Sequence, residues 1–190
     1  QGRTESAVDV VGGLEFYRTP FPHGGLSHIA GLRELQLMNH LERRLTQLVE
    51  QWHPDIVHAH SPVLNAYPAL RVGRRFGLPV VYEIRAFWED AAVDHGTTTE
   101  GSFRYWFTRA LETRAVKKAA HVFTICDGLR RDLVGRGVPR SHITVIPNAV
   151  DSSGFQPSGK PDPELARSLG IAGKLVLGFI GSFYAYEGIG

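Results

Sequence analysis

Sulfur is scarce in this chain: its 190 residues hold one cysteine, Cys126, and one methionine, Met38. A single thiol cannot close an internal disulfide, and a chain of this size buries enough surface to fold without staples. A reducing, cytoplasmic compartment is therefore expected. No apolar run approaches the roughly 20 residues that a membrane-spanning helix needs. Two phosphate-binding signatures are missing as well. There is no Gly-Lys-Ser/Thr of a P-loop, and Gly178 and Gly181 do not make a G-x-G-x-x-G dinucleotide fingerprint. No internal repeat of solenoid period occurs.

What is present is 43% hydrophobic residues, 10% aromatics, and 21 Lys+Arg against 19 Asp+Glu. Such a composition excludes a disordered tail, a collagen-like chain and a coiled coil. It suffices for one core and is thin for two complete domains. The chain starts at Gln1 and stops at Gly190, shortly after an apolar stretch and a glycine-bearing turn. This reads as a piece of a longer protein.

Charge is unevenly placed. Residues 101–140 carry nine Lys/Arg and three acids, while residues 81–100 carry five acids and one arginine, Arg85. Solvated faces of two helices are the plainer source of the basic stretch, and contact with an anionic surface is the alternative.

Leu14-Glu15-Phe16-Tyr17-Arg18 reads as a short strand. Ile29, Leu32, Leu35, Met38, Leu41, Leu45, Leu48 and Trp52 recur at helical steps, forming one stripe of a long amphipathic helix that Pro54 stops. Strands are expected at Asp55–Ala59, Pro79–Ile84, His121–Ile125 and Ile143–Ile146. Helices are expected over 63–76, closed by Gly77, over 101–119, and from an N-cap at Asp127 to Gly135. The alternation predicts an α/β fold: a Rossmann-like parallel sheet with helices on both faces. Ligands of such sheets sit beyond the carboxyl ends of the strands. Here those ends are His60-Ser61, Arg85, Cys126-Asp127 and Pro147-Asn148. Residues 147–163 have linker composition, Leu165–Leu169 reads as a short helix, and Lys174–Ile180 reads as the first strand of a second Rossmann-like domain. The domain reading is 1–146, a linker over 147–172, and a second domain opening at 173–190.

Four features could carry chemistry. His58-Ala59-His60 puts two imidazoles on one face of a strand, but His121 and His142 lie at the opposite strand ends, so no metal is assigned. The expectation is that His58 packs near the core and His60 lines a cleft rim. Residues 85–100 show no periodicity and read as a long functional loop, with Arg85 at the strand end beside Glu83, Glu89 and Asp90. The 181–188 turn could offer backbone N–H groups to a phosphate. Cys126 has no histidine assignable as its base and reads as a small structural residue.

Taken together, Asp55-Ile56-Val57-His58-Ala59-His60-Ser61-Pro62, Pro79-Val80-Val81-Tyr82-Glu83, Val145-Ile146-Pro147-Asn148-Ala149-Val150-Asp151 and Gly178-Phe179-Ile180-Gly181-Ser182-Phe183 resemble family 4 glycosyltransferases of the two-Rossmann-domain GT-B architecture. The Val-Ile-Pro-Asn-Ala-Val-Asp run resembles the hinge between acceptor and donor domains. The segment from Tyr82-Glu83-Ile84-Arg85 through Gly101-Ser102 is similar to a branch associated with exosortase-linked exopolysaccharide clusters. The resemblance implies retaining transfer of a sugar from a nucleotide diphosphate donor to a hydroxyl, with no cofactor and no metal. Its implied partners are the nucleotide-sugar donor and a sugar, lipid-linked or polysaccharide acceptor. Peripheral membrane contact is allowed, and nucleic acid is not a partner.

The family's paired catalytic glutamates would lie outside this chain, which would be inactive alone. Many relatives carry histidine near Arg85, and many carry Arg and Lys where this chain has Ser182 and Glu187. The acceptor-binding set is expected to be His60, Arg85, Trp88, Glu89 and His95. The donor phosphates are expected to meet backbone N–H groups at Gly181 and Ser182, with Glu187 turned away. A nicotinamide-dependent Rossmann enzyme and a non-catalytic sugar-binding module are the alternative readings.

Overall fold

The computed structural model describes residues 8–19, 31–154 and 162–181. The chain divides into two compact units, residues 1–147 and 148–190. In the first unit, β1 (Val8–Val11) and β2 (Leu14–Tyr17) pair as an antiparallel hairpin, apart from the main sheet. Gly12 and Gly13, both at positive φ, make its two-residue turn, which L side chains would strain. The expected strand at Leu14 is present, but it interrupts the alternation of strand and helix rather than joining it.

Helix α1 (Leu32–Trp52) ends at His53, in left-handed conformation, immediately before Pro54. Of its apolar stripe, Met38 is buried, whereas Leu35 and Trp52 are exposed. Then β3 (Val57–His60), α2 (Val63–Phe76), β4 (Val80–Ile84), α3 (Trp88–Asp94), α4 (Phe103–Val116), β5 (His121–Thr124), α5 (Asp127–Gly135) and β6 (Ile143–Val145) follow. The strands form a four-stranded parallel sheet in the order β3-β4-β5-β6, flanked by helices: an α/β fold.

Because neighbours in the sheet are also consecutive in the chain, right-handed crossovers send α2, α4 and α5 to one face. The core shows the same thing. Val57, Ala59, Val80, Tyr82, Ile84, Val122 and Ile143 of the strands pack with Val49 of α1, Ala66 and Val72 of α2, Val116 of α4 and Leu133 of α5. In parallel register the alternate residues face the other way, and these are His58, His60, Val81, Glu83, His121, Phe123 and Thr144. Of these seven only Val81 is buried. This second face decides where the candidate site lies.

Three expectations need correction. Residues 85–100 are not a structureless loop, since α3 occupies their middle. Glu89 and Asp90 in its first turn complement the helix dipole. The N-cap of α5 is Cys126, and Asp127 is instead the first helical residue, paired to Arg130. Lys174–Ile180 is not a strand: Leu175, Leu177 and Ile180 are exposed and no ladder forms. A strand needs a neighbour for its backbone groups, and no described residue supplies one. In the second unit the described regular structure is a short 3-10 turn at Ser152–Gly154 and α6 (Pro163–Ser168), whose N-cap Asp162 accepts from the N–H groups of Glu164 and Leu165.

At Gly73, α2 lies close against β4 and the turn before it. A Cβ on Gly73 would lie 2.3 Å from Val80 Cγ2 and 2.9 Å from the Leu78 carbonyl oxygen. Gly73→Ala is expected to destabilise by about 1–3 kcal/mol through overpacking, despite a helix-propensity gain of roughly 1 kcal/mol. A lowered urea midpoint at unchanged slope is the readout.

Candidate functional site

The carboxyl ends of β3 and β4 are laced together by short contacts. The Ser61 N–H donates to the Glu83 carbonyl at 2.8 Å, and the Arg85 N–H donates to Ser61 Oγ at 3.3 Å. The register sets His60 opposite Glu83. The Glu83 side chain, 20% exposed, becomes the hub of a polar cluster. Its Oε2 lies 3.2 Å from His58 Nε2 and 3.5 Å from His60 Nδ1, and its Oε1 lies 3.7 Å from Arg85 Nη1. His60 and Arg85, both proposed from the sequence, are thus brought together through one carboxylate.

His58 does not pack near the core as expected. It lies on the open face, stacked on His60 with ring centroids 4.4 Å apart and planes 22° apart, and edge-on to Phe123. The ligand atoms of His58, His60 and Glu83 lie within 4.8 Å of one another. The two imidazoles and the carboxylate make one polar cluster on the open face of the sheet. His121, at the amino end of β5, bonds Thr144 at 2.9 Å.

Glu89 does not join the set. It is 1% exposed, and its Oε1 accepts from Arg136 Nη1 at 2.7 Å. Arg136 also donates through Nε to Asp132, and its guanidinium lies 3.9 Å from the centre of the Phe87 ring. A carboxylate at the second position of α3 faces inward, because Phe87 and α5 close over it, while Trp88, one residue earlier, stays half-exposed. Trp88 and Tyr105 line a cavity of about 110 Å³ between α3 and α4. His95 caps the far end of α3, its N–H donating to the Ala91 carbonyl at 3.0 Å. Gly181 is exposed in the second unit, and Ser182 and Glu187 lie outside the described residues.

Beneath α3 lies a second buried acid that the sequence reading missed. The Tyr82 hydroxyl donates to Glu112 Oε1 at 2.6 Å. Burial pushes the Glu112 carboxyl up from 4.5 to about 7, with Glu89 adding to the rise and the Tyr82 bond and Arg136 opposing it. Burial likewise raises the Tyr82 phenol far above its ordinary value. The signal available in the sequence was spacing: Glu112 sits seven residues after Tyr105 and three before Ala115, on the inward side of α4.

Residues 1–149 match the family model of the glycosyl transferase 4-like domain. The chain belongs to that family. Its curated relatives include GDP-mannose-dependent alpha-mannosyltransferases of Mycolicibacterium smegmatis and Mycobacterium tuberculosis. Each is 28% identical over 138 residues, covering 73% of this chain and 35% of the relative. The chain therefore spans about a third of the length of the curated relatives it matches. Among solved structures, UDP-GlcNAc 2-epimerase from Neisseria meningitidis bound to UDP-GlcNAc is similar over 59% of this chain and 28% of that one, at 15% identity and a TM-score of 0.44. The S. aureus MnaA-UDP co-structure covers 78% of this chain and 35% of its own, at 15% identity and a TM-score of 0.45.

Two outcomes follow for this family member. Arg136→Met leaves Glu89 buried without its cation and is expected to cost about 3–5 kcal/mol, measured by chemical unfolding. The paired change Arg136→Met with Glu89→Leu should recover most of that loss. For Glu112, the native state holds a proton that the unfolded chain releases, so its contribution to stability falls as pH rises from about 4.5 to 7. Across that window the loss is about 3 kcal/mol at about 1.4 kcal/mol per unit. Glu112→Gln should remove this slope, read as the difference between wild-type and variant unfolding free energies across the window.

Proposed function

We propose that this chain is the acceptor-side part of a retaining glycosyltransferase that moves a sugar from a nucleotide diphosphate donor to a hydroxyl acceptor. The observation that carries the reading is the His60–Glu83–Arg85 cluster at the carboxyl ends of β3 and β4, where open α/β sheets bind ligands. Family membership supports sugar transfer. The mannosyl relatives make GDP-mannose the first donor to test.

In this reading Glu83 helps orient the Arg85 guanidinium. That guanidinium serves an anionic or polyhydroxyl group, either the acceptor or the leaving phosphate. Trp88 offers its half-exposed ring to a sugar face, and His60 and His95 line the rim. The acidic pair that would complete catalysis lies outside this chain. The donor diphosphate is met by backbone N–H groups at Gly181 and Ser182, in a second domain joined through the 147–172 linker. Cytoplasmic nucleotide sugars and synthesis of an exopolysaccharide or other glycoconjugate fit the Tyr82–Ser102 segment. No described helix is long and apolar enough to cross a membrane.

The test is transfer from labelled GDP-mannose, with UDP-sugars in parallel, by the full-length protein. Arg85→Ala is expected to lower kcat/KM by about 1–3 kcal/mol of transition-state stabilisation, with Arg85→Lys intermediate. Parent-like kinetics for Arg85→Ala would remove Arg85 from the site. Sugar binding without consumption of any nucleotide sugar would favour a non-catalytic binding module.

A further inference from the structure

The open face of the sheet gathers more ligand atoms than spacing along the chain reveals. His58 and His60 are two apart on β3, so strand alternation turns both imidazoles to that face. Spacing alone stops there, at two ligands. The parallel register then sets Glu83 of β4 beside His60 and delivers a carboxylate to the same place. The ligand atoms of the three side chains lie within 4.8 Å of one another. One oxygen serves both rings: Glu83 Oε2 is 3.2 Å from His58 Nε2 and 3.5 Å from His60 Nδ1.

At metal–ligand bonds of about 2.0–2.1 Å, tetrahedral coordination sets neighbouring donors about 3.3–3.4 Å apart. Both separations from Glu83 Oε2 fall within about 0.2 Å of that length. Rotation of the exposed histidine side chains completes the third edge. Two imidazoles and one carboxylate are a donor set that three-ligand zinc sites use, with a fourth position left for water. A hard cation such as Mg2+ prefers oxygen, and this set offers two nitrogens. Access is open, since the His58 and His60 side chains are 42% and 52% exposed. The ligands are also supported from outside the cluster. Phe123 lies edge-on to the His58 ring, Asn65 Nδ2 donates to the His60 carbonyl at 3.1 Å, and Arg85 Nη1 faces the other Glu83 oxygen, Oε1, at 3.7 Å. Contacts of this kind orient the ligands and leave Oε2 for the ion.

We propose that His58, His60 and Glu83 form a binding site for one zinc ion, with a fourth coordination position open to solvent. The inference goes beyond the proposed transfer reaction and stands without it, since metal binding needs neither donor nor acceptor.

The experiment is calorimetric titration of the untagged full chain, first stripped with a chelator, with Zn2+ alone. One equivalent is expected to bind, and excess Mg2+ should not displace it. His58→Ala, His60→Ala and Glu83→Gln should each weaken that equivalent by about 10-fold to 100-fold or more, since loss of a supporting residue alone brings that much. His121→Gln, which breaks up a separate close pair of imidazoles whose ring centroids with His142 are 5.8 Å apart, should leave it unchanged. Zn2+ should also raise the unfolding temperature of the parent and not of the three ligand variants. Each variant is compared with its own metal-free unfolding curve, which separates a lost ligand from a damaged fold. Co2+ in place of Zn2+ should give the intense visible absorption of a four-coordinate ion, and His60→Ala should abolish it. The proposal is overturned if the parent binds no equivalent of zinc, if Mg2+ competes equally, or if the cobalt spectrum is the weak one of a six-coordinate ion. A loss from His121→Gln as large as that from His60→Ala would also overturn it.

Discussion

Arg136 lies where α3, α5 and the end of β4 meet, and 98% of its side chain is withdrawn from solvent. It holds Glu89 of α3 with one nitrogen, Asp132 of α5 with another, and covers Phe87 with its flat face. A buried ion pair of this kind adds little net stability over apolar residues of the same shape. Its effect is directional. An apolar contact would tolerate α3 sliding or turning, whereas a fork of donors aimed at two carboxylates allows few positions. With Glu89 pinned inward, Trp88 faces out and the chain leaving β4 at Arg85 has a defined course. The guanidinium that fixes α3 against α5 is itself almost wholly withdrawn from solvent.

The second determinant is the parity of the sheet. Parallel pairing in register forces Val57, Ala59, Tyr82 and Ile84 to one side, and His58, His60 and Glu83 to the other. Helices α1, α2, α4 and α5 pack on the first side and complete the core. The other side keeps the titratable groups, so one carboxylate can touch two imidazoles and a guanidinium. The same division recurs on α4, whose one acid is sequestered beside Tyr82 and whose outward stripe is left with rings and cations.

Much of this architecture was legible beforehand. β-branched runs, a long helical stripe ended by Pro54, and Gly77 after Phe76 each act over a few residues, so composition and spacing determined the four parallel strands and the helices α1, α2, α4 and α5 to within a few residues. The Val10-Val11-Gly12-Gly13-Leu14 hairpin is equally local in origin, a two-glycine turn between apolar residues. Strand-end position also singled out His60 and Arg85, since parallel sheets present ligands there.

The rest depended on contacts between residues far apart in the chain. Glu89 looked like a cleft residue because it neighbours Trp88, and only packing against Arg136, 47 positions later, shows it to be buried. Glu83 looked like a bystander to Arg85 until the register set it beside His60. The apolar run at Lys174–Ile180 has the composition of a strand and no described neighbour to pair with. Local sequence determined which segments form elements, because capping, periodicity and turn chemistry act within a turn or two. Tertiary structure decided which charges are buried, which converge and which face outward, because burial and ion pairing are set by whatever the fold brings alongside.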